Sequence, residues 1–158
     1  MPQENKHTKS FDIVFWILTA MCMGAIFYFS SQPATQSAGQ SSVVTLFLQK
    51  LFHTEAITEH MVRKAAHFTE FTGLGFLTNS AVYFTKHKRN LAIGIAIGSA
   101  YAATDEIHQI FVDGRSCQFT DWALDTLGVI TGALIFLILY LIIRKIIEHK
   151  NDKRFKEI

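Results

Sequence analysis

Long apolar runs dominate this sequence and limit how the chain can fold. The first, from Ile13 to Phe29, has no charged side chain, and with Phe11 and Ser30 it reaches the ~20 residues that a membrane-crossing helix needs. Hydrophobic residues make up 49% of the 158 positions and are gathered in blocks rather than scattered as in a soluble core. The sequence therefore predicts an all-α integral membrane protein.

Four segments are predicted to cross the membrane as one compact bundle, in a single domain over residues 1–158. They are residues 11–30, 66–84, 91–111 and 121–143. The second is the weakest, because Glu70 and Asn79 lie inside it, and such a helix is better buried among partner helices than exposed to lipid. The alternative for the first is a secretory signal peptide, although the apolar region of those peptides is usually only ~7–15 residues long.

The segments between these spans are polar or amphipathic. Residues 1–10 are expected to be disordered or to fray, and residues 30–42, rich in Ser, Gln, Ala and Gly, to form a loop. Residues 43–52 have a helical apolar stripe too short to span, which predicts an amphipathic helix in the interface, or alternatively a helix on the rim of the bundle. Thr58 is predicted to cap the second helix, and the basic tetrad 86–89 to end it.

Basic residues are distributed unevenly about the predicted spans. Eleven of the fifteen Lys and Arg residues lie on the side of both termini, including the tail 144–158. The positive-inside rule therefore predicts that both termini are cytoplasmic. The tail is expected to meet anionic lipid head groups. The net charge of only +2, with basic residues near segment ends, does not favour nucleic-acid binding.

Polar and ionisable residues cluster at the predicted external ends of the second, third and fourth spans. Ionisable groups near a bilayer are costly, so such a cluster is a functional-site hypothesis. Residues three or four positions apart lie on one face of a helix. Two such faces, here called stripes, each combine small residues with acidic ones. They are Gly94, Gly98, Ala102, Asp105 and Gln109 in the third span and Asp121, Asp125, Gly128 and Gly132 in the fourth. Because small residues let membrane helices approach closely, we expect these stripes to face one another beneath a shared pocket that opens to the outside.

The order of these residues resembles the VanZ-like family of small bacterial membrane proteins, named for the teicoplanin-resistance protein VanZ. The resemblance rests on KAAHFTEF at 64–71, on DEIHQIFVDGR at 105–115, and on the acidic and glycine positions of the fourth span. It extends from the Ser-Ser-Gln element at Ser30 to the fourth span, and Asp113 stands where the family often has proline. It implies a cell-envelope protein, in some members linked to resistance against teicoplanin, a lipid-tailed glycopeptide, but no mechanism.

Three functions are open for the predicted pocket. The first is an enzyme, a hydrolase or transferase acting on an envelope lipid, a lipid-linked glycan or a lipoglycopeptide, because histidines beside carboxylates suit general acid–base catalysis. Its candidate catalytic residues are His67, Glu70, Asp105, Glu106, His108 and Asp121. The second is a non-catalytic binding module for an amphiphile, and the third is a scaffold in which Asp121 pairs with Arg115 and His67 with Asp105. Transport is disfavoured, because four spans leave little room for a pathway.

Candidate ligand-binding residues are Lys64, Gln109, Arg115 and Asp125, with Arg115 expected to pair with a phosphate or carboxylate. No cofactor motif is identified. A divalent cation is an alternative, for which His67, Glu70, Asp105, His108 and Asp121 are plausible ligands, although their spacing matches no established metal motif.

The expected partners are membrane lipids and a lipid-linked envelope component or lipoglycopeptide. Cys22 and Cys117 are not expected to pair, since one lies in an apolar block and the other in a loop.

Overall fold

The computed structural model describes the backbone of residues 6–156 and the side chains of residues 11–153. Within these bounds the chain forms five α-helices and no strand, which confirms the predicted all-α class. The helices are α1 Lys6–Ser30, α2 Ala34–Phe52, α3 Glu59–Lys86, α4 Leu91–Gln109 and α5 Phe119–Lys156.

Two of these helices, α1 and α5, are long and apolar enough to cross a membrane. Their apolar stretches are Phe11–Ser30, with a mean hydropathy of 2.0, and Phe119–Lys153, with 2.6. Only 17% and 28% of these stretches are buried inside the protein, so most of their apolar side chains face outwards. The described parts of α3 and α4 do not combine the length and hydropathy expected of a membrane-crossing helix. Length and composition thus support two of the four predicted spans.

The central helix is α3, which packs against each of the other four. Its side chains Phe71 and Leu74 are completely buried and form a core cluster with Ile26 of α1, Ala102 of α4 and Val129 of α5. The short link between α3 and α4 reverses the chain direction, so α3 and α5 run one way and α1 and α4 the other. This core cluster thus joins α1, α3, α4 and α5.

Glycines allow α5 to lie directly against the backbone of α3. A Cβ atom added to Gly128 would lie 2.7 Å from the carbonyl oxygen of Phe68, and one added to Gly132 would also meet α3 backbone. On α4, by contrast, a Cβ on Gly98 would lie 2.6 Å from Cγ1 of Val129. The glycines of α5 therefore face α3 and not the α4 stripe, and the prediction that the two stripes face one another is wrong. Helical spacing identifies a face of small residues but not the neighbour that it meets.

Three helix ends differ most from the predicted bounds. The helix α1 begins at Lys6, inside the segment predicted to fray, of which residues 1–5 lie outside the described part. The helix α2 begins at Ala34, after Pro33, so most of the predicted loop 30–42 is helical. Its Ala and Gln residues are compatible with a helix, although the stretch is polar. Only Thr45 of α2 is buried, which leaves its apolar residues exposed.

The helix α5 continues through the basic tail to Lys156. Lys, Arg and Glu are good helix formers, and Arg144 donates to Glu148 at 2.7 Å, one turn further on. The predicted ends of α3 are confirmed, whereas α4 ends at Gln109 and α5 begins at Phe119, each two residues from the predicted position. The Thr58 hydroxyl accepts a hydrogen bond from the backbone N–H of Met61 at 3.3 Å, and α3 ends at Lys86, before His87, whose φ of 51° is left-handed.

Candidate functional site

One end of the bundle gathers the polar residues, because α1 and α4 end there while α2, α3 and α5 begin there. Two contacts show this convergence. The Ser30 hydroxyl at the end of α1 donates to Asp105 Oδ2 of α4 at 2.9 Å. Lys64 Nζ, near the start of α3, lies 2.8 Å from Asp121 Oδ1 in the first turn of α5.

A polar cavity of about 180 Å³ opens at this end. Seven of the ten residues that the sequence suggested line it, namely Lys64, His67, Glu106, Gln109, Arg115, Asp121 and Asp125. Four polar residues outside these ten also line it, namely His60, Arg63, Ser116 and Gln118. The first two lie on α3, where His60 is four residues before Lys64 and Arg63 is four residues before His67, and this helical spacing is the signal in the sequence that indicates them.

Asp125 is the most enclosed ionisable group of the cavity. It is 1% exposed, and neither of its carboxylate oxygens has a hydrogen-bond partner among the described residues. A buried carboxylate without a partner is costly, since it has lost water and gained no donor in return. Asp125 therefore offers two acceptor positions to a group that enters the cavity.

Glu106 is also buried, but one of its oxygens has a fixed partner. Glu106 Oε2 accepts a hydrogen bond from the backbone N–H of Gln118 at 2.8 Å. Because Gln118 lies just before α5, this bond ties the end of α4 to the start of α5. Glu106 thus helps to fix one wall of the cavity while its side chain contributes to the lining.

Lys64 and Asp121 form the ion pair of the cavity rim. Their side chains are 33% and 28% exposed, so the pair contributes at most about 1 kcal/mol to stability. The scaffold hypothesis paired Asp121 with Arg115, and the structure gives it Lys64 instead. The reason is that α3 packs closely along α5, which brings the first turns of these two helices together.

Arg115 binds the end of α1. Its Nε donates to the carbonyl oxygen of Gln32 at 3.0 Å and its Nη2 to that of Phe29 at 3.4 Å. Partial burial lowers the pKa of Arg115, and the nearby guanidinium of Arg63 lowers it further, but an arginine keeps its charge in proteins. Arg115 thus brings a permanent cation to the cavity and holds the turn between α1 and α2.

The loop that carries Arg115 is fixed to this turn by its backbone. The N–H of Ala34 donates to the carbonyl oxygen of Asp113 at 3.1 Å. Gly114 has a φ of +71°, and a Cβ atom there would lie 3.0 Å from that of Ala34. A side chain at this position would be strained and crowded, so glycine is required for the loop to reach the turn.

Three of the suggested residues do not line the cavity. Asp105 is buried beside it and accepts hydrogen bonds from Ser30 Oγ at 2.9 Å and Gln109 Nε2 at 3.3 Å, so its partners are these and not His67. His108 faces α1, with its Nε2 3.0 Å from Ser31 Oγ. Glu70 lines a neighbouring groove.

The Ser-Ser-Gln element at the end of α1 is the main part of the site that sequence reasoning left without a role. Ser30 is 1% exposed and contacts Asp105, Ser31 contacts His108, and the carbonyl of Gln32 accepts from Arg115. The signal in the sequence was a run of polar residues directly after an apolar helix. Each of the three thus connects α1 to a residue between positions 105 and 115.

A family model described as VanZ/LLP1 matches residues 15–140. The chain belongs to the VanZ/LLP1 family. The matched residues reach from α1 into α5 and include every residue of the cavity lining, and the resemblance to VanZ-like proteins is thereby confirmed. No curated protein and no solved structure matches the chain.

In this VanZ/LLP1 protein no three His, Cys, Asp or Glu side chains of the described residues gather closely enough to hold a metal ion. The side chains considered for a divalent cation are divided among different contacts. Asp105 bonds to Ser30, His108 lies beside Ser31, and Asp121 pairs with Lys64. Both cysteines are free.

The cavity of the VanZ/LLP1 protein combines cationic donors with carboxylate acceptors. It is lined by Arg63, Lys64 and Arg115 on one hand and by Glu106, Asp121 and Asp125 on the other. This arrangement is complementary to a ligand that carries an anionic group together with hydroxyl, amide or amine donors. The two histidines of the lining, His60 and His67, add ring nitrogens that can donate or accept hydrogen bonds.

Proposed function

We propose that this VanZ/LLP1 protein binds the polar head group of an envelope lipid, a lipid-linked glycan or a lipoglycopeptide in the cavity. The observation that carries the proposal is Asp125, whose buried carboxylate lacks a hydrogen-bond donor although it lines the cavity. Hydroxyl or amide groups of a head group would supply the missing donors. A phosphate or carboxylate of the same ligand would meet Arg63, Lys64 or Arg115.

The membrane arrangement that suits this function has α1, α3, α4 and α5 crossing the bilayer. The 19 residues of α4 would be about 28 Å long at a rise of 1.5 Å per residue, close to the ~30 Å of the hydrocarbon core. Since α3 packs against both α1 and α5, all four helices would share the same slab. The basic residues favour cytoplasmic termini, and the cavity would then open to the outside.

The second candidate function is hydrolysis or group transfer on the bound amphiphile. It is favoured by the presence of His67, Glu106 and Asp125 in one cavity lining, since a histidine and a carboxylate can act as general acid and base. Both functions would link the family member to teicoplanin resistance through the lipid-tailed part of that drug.

Head-group binding is tested by the lipids that the protein retains. Wild type, Asp125→Asn and the exposed control Asp152→Asn, on the same helix, are purified in mild detergent and their bound lipids identified by mass spectrometry. We expect wild type and the control to retain the same anionic amphiphile and Asp125→Asn to lose it. Equal retention by all three would refute the proposal.

Catalysis and resistance need separate measurements. Incubation of the purified protein with extracted envelope lipids should yield a new lipid product if the second candidate is correct, and no product if the protein only binds. Teicoplanin and vancomycin susceptibility is compared in cells that carry wild type, Glu106→Gln or the exposed control Glu55→Gln. We expect only Glu106→Gln to change susceptibility, and only to teicoplanin. Unchanged teicoplanin susceptibility in cells with Glu106→Gln would show that the cavity does not contribute to resistance.

A further inference from the structure

An apolar groove of about 780 Å³ lies beside the polar cavity, between α2 and α3. This volume falls within the roughly 300–1,000 Å³ of sites that bind small molecules. Apolar side chains such as Val44 and Leu48 of α2 and Val62 of α3 line it. Glu70 is the one charged residue among the described residues of its lining.

A recess of about 220 Å³ shares lining residues with both the groove and the cavity. The recess shares Val44, Val62, Ala66 and Glu70 with the groove. It shares Arg63, His67 and Arg115 with the cavity. From the groove through the recess to the cavity, the lining therefore changes from mostly apolar to mostly polar, with two arginines in the recess.

We propose that the groove holds one hydrocarbon chain of an anionic membrane amphiphile whose head group occupies the cavity. This inference rests on the proposed function and adds to it the path by which the ligand enters, sideways from the membrane between α2 and α3. The order of chemistry along the path matches that of an amphiphile. The chain meets Val44 and Leu48, and an anionic phosphate meets Arg63 and Arg115.

Glu70 lies where the head group and the chain of such a ligand would join. It lines both the groove and the recess, beside Arg63 and Arg115. There its carboxylate would accept a hydrogen bond from a hydroxyl or amide near the linkage. A ligand with such a donor, for example a phosphatidylglycerol, should therefore bind in preference to a phosphatidylcholine, whose head group has no hydroxyl.

Gly73 offers a way to fill the groove without disturbing the fold. It lines the groove, and a Cβ atom added there would meet no atom within 4 Å. Gly24 of α1 is a matched control, because a Cβ atom there also meets nothing within 4 Å and Gly24 is not part of the groove lining. Both are replaced by phenylalanine in the full-length protein in lipid nanodiscs, and equal thermal unfolding shows that both fold.

The probes are a phosphatidylglycerol and a phosphatidylcholine, each with a photoreactive diazirine in one acyl chain. After irradiation, mass spectrometry identifies the labelled peptides. With phosphatidylglycerol we expect labels in residues 44–48 and 61–73 of wild type, and about fivefold less label in Gly73→Phe than in Gly24→Phe, the change produced by ~1 kcal/mol. Phosphatidylcholine should label the groove more weakly.

Two results would overturn the inference, namely equal labelling of the two variants and labels confined to other helices. Failure of the proposed function is recognised separately. If Asp125→Asn retains its lipid, the head-group site is wrong, whereas the comparison of Gly73→Phe with Gly24→Phe still decides whether the groove takes a chain.

Discussion

Replacement of Asp125 by asparagine should stabilise the ligand-free protein and weaken its ligand binding. The carboxylate is 1% exposed and has no partner, so the fold carries its desolvation cost. A neutral amide of the same shape would also lack a partner and keep the ~1–3 kcal/mol cost of a buried polar group, but it should recover the additional cost of the charge, about 2 kcal/mol. For a chain of this size 1 kcal/mol raises Tm by roughly 2–4 °C, so we expect an increase of roughly 4–8 °C.

The assay is thermal unfolding of delipidated protein in detergent, followed by circular dichroism. Asp121→Asn is the matched control, one helical turn away, and should lower Tm slightly because it breaks the ion pair with Lys64. Binding should weaken by about 10–150-fold in Asp125→Asn, which corresponds to the ~1.5–3 kcal/mol of a hydrogen bond to a charged group. A fall in Tm for Asp125→Asn would show that the carboxylate is a structural group and would refute the reasoning.

Three further substitutions test the packing and the links at this end of the bundle. Gly132→Leu should destabilise the protein by at least about 1–3 kcal/mol, because a side chain there meets the α3 backbone, and thermal unfolding measures the loss. Ser30→Ala should cost about 1–3 kcal/mol by leaving Asp105 with one donor fewer, and a Tm within about 1 °C of wild type would contradict the role given to this bond. Arg115→Lys cannot reproduce the forked contact with Gln32 and Phe29, so hydrogen exchange should accelerate at residues 31–36 and stay unchanged at the far end of α3.

Features of the fold that depend on local sequence were predictable. The apolar blocks predicted α1 and α5, and the capping residue Thr58 predicted the start of α3. Both signals depend only on residues that are close together in the sequence. The start of α2 at Ala34 was not predictable, since its first residues are polar and read as a loop. The helix that packs against Gly132 could not be predicted either, because helical periodicity does not indicate which neighbouring helix contacts a given face.

The candidate site follows the same division. The alternating direction of the predicted spans placed His67, Asp121 and Asp125 at one level, and all three line the cavity. His108 shares that level, but the rotation of α4 turns it towards α1, where it meets Ser31. That rotation depends on how four helices pack together, which no single stretch of sequence specifies.

The hydrogen bond between Ala34 and Asp113 has a practical consequence for experiments on topology. Two connecting segments that are distant in sequence are joined there by a backbone hydrogen bond, so a reporter fused between α4 and α5 would also distort the turn after α1. The segment after Thr54 has no such bond to a remote loop among the described residues, and a small epitope inserted there should leave the bundle intact. Antibody access to that epitope in whole cells would then report the side on which the cavity opens, without altering the cavity itself.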